Sequence, residues 1–207
     1  MFEVVNGNAE SVVNNFGTLP SVPYRIIETL ASETTEEAEM FWKLLCYAQP
    51  DCMEKGNLTE DEKTDTVWAG ESLENEYHVF MKPLIGAALD SASSQTQMRI
   101  YRDTTNPISS IEALANFVII FTTNEKESTV RYKGMIFERT DLLESLFLNI
   151  MNKRDLGVGV GYLEYDKQAS RSCGSTLGVN NSKSFYGRTA VMALKFVGAD
   201  SDDRFCG

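Results

Sequence analysis

The stretch Ala115-Asn-Phe-Val-Ile-Ile-Phe-Thr-Thr123 decides the fold class of this chain. Phe117, Ile119 and Phe121 recur at the two-residue period of a strand, and Val118 and Ile120 make its second face apolar too. A strand of this kind is expected to be covered on both sides. Before it, Met98 to Asp103 is strand-like and leads through a loop at Pro107. After it, Arg139 to Lys153 carries Leu142, Leu143, Leu146, Phe147, Ile150 and Met151 on one broad stripe. Asp141, Glu144, Asn149 and Lys153 fall outside that stripe, which predicts a helix laid across the sheet. Val160 to Asp166 and Tyr186 to Val197 predict two closing strands, separated by a polar loop from Lys167 to Phe185. In the last strand Ala190, Met192, Leu194 and Phe196 alternate with Thr189, Val191, Ala193 and Lys195. One face is apolar and the other mixed, and a mixed face suits a subunit contact.

The front third reads as helical. Pro23 suits the first turn of a short helix through Ala31, where its missing N–H costs nothing. Thr34 with Glu37 has capping-box spacing, and Ala38, Phe41, Leu45 and Ala48 follow at helical intervals until Pro50. Thr59 with Glu62 repeats the start signal for a short helix toward Trp68, with Gly70 placed to stop it. The expected class is therefore α+β: a small, mainly antiparallel sheet with a helix packed across it, preceded by a helical N-terminal region. The expected organisation is an arm over 1–22, a single domain over 23–197 (helical over 23–70, sheet-rich over 95–197) and an acidic tail over 198–207. A length of 207 residues is ample for one buried core.

Composition narrows the function. No apolar run reaches the roughly 18 residues that a membrane helix requires, and residues 1–22 lack the basic start and apolar centre of a secretory signal. A soluble protein maturing in a cytoplasm is expected, with Cys46, Cys52, Cys173 and Cys206, which form no CxxC pair, left as thiols. A net charge of −11 argues against a protein that wraps or reads nucleic acid. Acidic walls would instead keep DNA from sticking to a ring through which it slides.

Catalytic patterns are sparse. His78 is the single histidine, and between Tyr77 and Val79 it reads as a structural or surface residue rather than a base. Glu36 with Glu37, and Glu60 with Glu62, lie at helix starts, where acids oppose the macrodipole. Asp200, Asp202 and Asp203 make tail charge without the glycine and distal glutamate of a calcium loop. Gly157, Gly159 and Gly161 precede a strand-like segment instead of following one, the reverse of a phosphate loop, so a flexible lead-in or a close backbone approach at a subunit contact explains them better. Asn180-Asn181-Ser182 is a chance glycosylation triplet in a chain without a signal. Arg99, Tyr101 and Arg102, and Arg131, Tyr132 and Lys133, are too small as patches to outweigh the acidic surface. No catalytic, cofactor-binding or metal-binding residue and no cofactor is expected.

Taken together, Tyr24 through Trp42-Lys43-Leu44-Leu45-Cys46-Tyr47, then Leu58, Thr59, Glu60 and Lys63, resemble the neck proteins of tailed bacteriophages. The resemblance continues in Arg99-Ile100-Tyr101, in the helix before Asn152, and in Phe185-Tyr186-Gly187 entering the last strand, so that it covers about residues 20–197. It implies a head-to-tail connector, most similar to tail-terminator (tail-completion) subunits, assembled as a hexameric or dodecameric ring in the host cytoplasm. Its partners would be further copies of itself, a portal-side connector and the tail tube, with DNA passing through the lumen without specific binding and no membrane involved. Loops around Asp103 to Ser110 and Lys167 to Ser184, together with the N-terminal arm, are the expected contact segments. Two readings compete with it: an acidic DNA mimic that inhibits a host nuclease or restriction system, and an enzyme with an unfamiliar site.

Overall fold

The computed structural model describes residues 16–68, 77–82, 96–109, 112–173, 175–177 and 185–197. Two long strands form its spine. β3 (Glu112–Asn124) and β8 (Phe185–Val197) pair antiparallel without a break, from Glu112 opposite Val197 to Asn124 opposite Phe185. On the other side of β3 lies β2 (Gln97–Pro107), antiparallel, with an irregularity between Arg102 and Thr105. A two-residue strand, β1 (Val79–Phe80), adds parallel to β2. The outer edge of β8 carries β6 (Val160–Tyr165) and β7 (Ser175–Leu177), both antiparallel to it. The architecture is α+β, and the sheet is mainly antiparallel as the sequence predicts.

Alternation along the strands divides the sheet into two unlike faces. Phe117, Ile119 and Phe121 of β3, Met98 and Ile100 of β2, and Met192, Leu194 and Phe196 of β8 are all fully buried beneath the helices. The helical layer consists of α1 (Val22–Ser32), α2 (Glu36–Cys46) and α4 (Arg139–Met151). Its anchor is aromatic. Phe41 of α2 meets Phe121 edge-on at 6.1 Å and Phe147 of α4 at 6.4 Å, and Phe121 meets Phe147 at 5.6 Å. Offset and edge-on pairs of this kind add to the apolar burial that already favours the packing. Trp42, also fully buried, donates its indole N–H to the Leu30 carbonyl at 2.9 Å and so ties α2 to α1. On the opposite face Val118, Val191 and Ala193 are buried while Ile120 is half-buried.

Several boundaries differ from expectation, each for a local reason. The cap of α2 is Thr35 instead of Thr34; its side chain accepts from the Ala38 N–H. The helix ends at Cys46, leaving Ala48 outside it. The capping box at Thr59 and Glu62 forms as its spacing predicts, opening α3 (Glu60–Asp65). That helix stops short of Trp68 because Val67 and Trp68 turn to bridge Val79, with the Trp68 N–H on the Val79 carbonyl at 2.9 Å. Gly70 lies outside the described residues. Phe16–Ser21, expected within an extended arm, is a 3-10 helix whose Leu19 is buried. Asp103 to Pro107, expected as loop, continues β2 beyond the irregularity, and Pro107 stands at its last position.

The polar loop expected from Lys167 to Phe185 contains α5 (Lys167–Cys173) and β7, while 178–184 lie outside the described residues. α5 fills the break between β6 and β7 along β8: the Ser170 hydroxyl accepts the Val191 N–H at 2.9 Å, supplying the partner that an edge strand would otherwise give. A further element is absent from the sequence expectations. β4 (Thr129–Tyr132) and β5 (Met135–Glu138) form a separate hairpin turning on Lys133 and Gly134, both at positive φ (49° and 77°). Positive φ at both central residues is the two-residue turn whose twist matches its strands.

Two predictions follow from this packing. A Cβ on Gly187 would lie 2.1 Å from the Phe121 carbonyl oxygen, so Gly187→Ala must force β8 away from β3. Insoluble expression, or a melting temperature lowered by roughly 10 °C, is expected in a thermal unfolding assay. Burial raises the Glu144 carboxyl above its ordinary value, Arg188 opposes the shift, and Asp141 and Glu138 add to it. A raised folded pKa means stability present at low pH and lost as pH rises through the carboxylate range. Glu144→Gln should therefore raise the melting temperature at neutral pH, and the difference should shrink below about pH 4.

Candidate assembly surfaces

Arg139 opens α4, yet its side chain is fully buried and points away from its own helix. Nε donates to the Glu127 carbonyl at 2.6 Å; Nη1 donates to the carbonyls of Leu44 (2.6 Å) and Tyr47 (2.7 Å); Nη2 donates to those of Ala48 (2.9 Å) and Gln49 (3.1 Å). The guanidinium thus gathers the carbonyls at the C-terminal end of α2, where the helix dipole is negative, and explains why α2 stops there. The turn before the hairpin is held by the same group through Glu127. Burial lowers the Arg139 pKa, with Cys52, Glu127 and Glu138 opposing that shift. The hairpin is tied again where the Arg131 N–H meets the Pro50 carbonyl at 2.8 Å and the Arg139 N–H meets the Ser128 carbonyl at 2.7 Å.

Held in this way, the hairpin presents apolar side chains outward: Ile136 is 71% exposed and Met135 57%. At the other end of α4, the Asn152 carboxamide accepts the Tyr165 N–H at 3.0 Å and anchors edge strand β6. Leu163 of β6 points into the core, while Tyr162 is 57% exposed and Val160 is exposed beside it. A 13-residue helix spans about 20 Å, so two unlike apolar elements stand at opposite ends of one rigid rod. Ile108, also exposed, sits at the turn between β2 and β3.

The glycines before and within β6 have a structural use. Gly157, Gly159 and Gly161 all have positive φ, and a Cβ on Gly159 would lie 2.8 Å from both the Leu194 side chain and the Lys195 carbonyl. The close approach is between two parts of one chain. His78 is buried and its Nδ1 lies 2.8 Å from the Thr96 carbonyl, in keeping with a structural histidine. Desolvation pushes the thiol of the half-buried Cys46 up to about 12, so it stays protonated; Cys52 is also a free thiol, fully buried and raised by that burial. The acids at helix starts behave as such. Glu62 accepts from the Thr59 backbone and hydroxyl, which holds its carboxyl below the ordinary value.

The basic patches separate on folding. Arg99 is buried and Tyr101 half-buried on one face of β2, while Arg102 is exposed on the other. On the hairpin, Lys133 stands 4.8 Å over the Tyr132 ring and the Tyr132 hydroxyl donates to Glu36 at 3.5 Å. One buried ion pair was not legible in the sequence: Lys63 meets Glu39 at 2.8 Å, joining α3 to α2. Of the expected contact segments, Thr104 to Ser109 is exposed, whereas residues 1–15 and 178–184 lie outside the described set, as do Asp200, Asp202, Asp203, Cys206 and the triplet at 180–182. Among the described residues no group of three or more His, Cys, Asp and Glu side chains is arranged to hold a metal ion, and no helix is long and apolar enough to cross a membrane. No protein-family model matches the chain, and no curated protein matches it.

Arg139→Met would leave the buried carbonyls of Leu44 and Glu127 without a donor. A loss of roughly 3–5 kcal/mol is expected in chemical denaturation. Arg139→Lys should recover only part of it, because one ammonium carries three donors and cannot reach five carbonyls.

Proposed function

We propose that this chain is a structural subunit of a bacteriophage neck, a tail-terminator-like connector that joins copies head to tail in a ring and lets DNA pass. The observation that carries this reading is the pair of unlike exposed apolar elements at the two ends of α4, Met135 and Ile136 on the hairpin and Val160 and Tyr162 on edge strand β6. Two different surfaces that recognise each other give heterologous contacts, which close into a ring when the rotation permits. An edge strand offers backbone groups for pairing as well as side chains. The likeness of residues 20–197 to neck proteins supports the same reading, and a helix packed on a small sheet is the fold which that likeness implies. The DNA-mimic alternative needs acids free to imitate phosphates, but Glu39 is committed to Lys63, Glu62 to the Thr59 cap and Glu112 to Lys195.

The test is gold-labelled antibody imaging of purified particles of the source phage, with mass spectrometry of the same preparation. Label at the head-tail junction is expected; absence of the protein from intact particles would sink the reading. Ile136→Glu and Tyr162→Glu, both at exposed positions, should abolish incorporation into particles while leaving the melting temperature of the free subunit within about 2 °C of the parent.

A further inference from the structure

Arg99 lies on the sheet face opposite the helices and is 1% exposed. Its Nε and Nη2 atoms are buried and have no hydrogen-bond partner among the described residues. These two nitrogens form one edge of the guanidinium, with their N–H bonds parallel, the edge that grips two oxygens of a carboxylate or phosphate at once. The groups around it fit that chemistry. Ile120 lies directly across on β3, Thr122 diagonally across on the same face, and Phe80 beside it on β1. The Thr122 hydroxyl is itself buried without a hydrogen-bond partner among the described residues, and a hydroxyl can donate to an oxyanion. Of the charged or titratable groups, Tyr101 on the same strand acts on Arg99, opposing the lowering of its pKa by burial.

A buried guanidinium whose N–H groups meet neither a counter-charge nor another acceptor is strongly unfavourable, and Arg99, unlike Arg139, has two such nitrogens. We propose that Arg99, with the Thr122 hydroxyl beside it, is a receptor for an oxyanion presenting two adjacent oxygens, a carboxylate or a phosphate. The apolar side chains of Phe80 and Ile120 border the site and strengthen the attraction by keeping water away. This site is independent of the ring reading, because it concerns the sheet face rather than the hairpin or strand β6.

The experiment is a thermal unfolding series of the full chain in inorganic phosphate and in acetate, each against chloride at equal ionic strength, repeated on Arg99→Met. Alongside it, the Arg99 Nε–H resonance is followed by NMR in the parent protein without added anion. A saturable rise of about 4 °C at ten times the dissociation constant, absent in Arg99→Met, identifies a free anion as the ligand. No response to added anion, together with a downfield and slowly exchanging Nε–H, identifies a carboxylate supplied by the protein chain itself. No response together with an Nε–H exchanging at solvent rates would overturn the proposal. The NMR arm needs no variant, so the test stands even if Arg99→Met does not fold.

Discussion

A guanidinium that is fully buried and satisfied mainly by backbone carbonyls is an unusual way to close a core, and Arg139 does it between parts of the chain about 90 residues apart. Its five carbonyl contacts fix three things together: the end of α2, the turn after β3, and the start of α4. Without that group, α2 would end in unpaired carbonyls beneath the hairpin. The aromatic cluster of Phe41, Phe121 and Phe147 sits within the apolar core that holds helices to sheet, and apolar burial is non-directional and scales with area. Arg139 supplies direction, fixing where the hairpin stands relative to that cluster.

The mechanical consequence is that the outward elements are anchored at both ends of α4. The hairpin is held at the helix N-terminus by Arg139 and Ser128, and β6 is held at the C-terminus by Asn152 and by the Lys153 N–H on the Leu163 carbonyl at 2.7 Å. In the proposed ring, contact elements anchored in this way would not swing. Edge strand β6 also shows how the chain limits unwanted pairing: its register shifts between Val160 and Glu164, and three positive-φ glycines precede or interrupt it. In the proposed ring its exposed side chains, rather than a long flat edge, would choose the partner.

Much of this fold is legible in the residues. The period-two run through Phe117, Ile119 and Phe121 and the stripe from Leu143 to Met151 place the two central layers, since burial of one face leaves a pattern that tertiary contacts rarely override. The capping box at Thr59 is legible for the same reason: both partners lie within one turn. What escapes is non-local or short. Arg139 at the first position of a helix gives no sign that its carbonyl partners are contributed by α2. The hairpin's signal is the brief Lys133-Gly134 turn between strands of four residues, below the length at which alternation is convincing. α5 hides in a serine-rich segment because its role is to hand one hydroxyl to β8, not to bury a stripe. Of the candidate surfaces, the sequence points to the β2–β3 turn and the segment after β6, but the exposure of Ile136 and Tyr162 emerges only once the sheet fixes which way each strand faces.

In the proposed ring one copy's hairpin meets the next copy's β6 edge. Cross-linking mass spectrometry on assembled particles, with mixed isotope labelling to separate links between copies from links within one, addresses it directly. Links between copies should join Lys126, just before the hairpin, or Lys133, at its turn, to Lys153 or Lys167, which flank β6. Links between copies that avoid these four lysines, or links confined to single copies, would contradict the account.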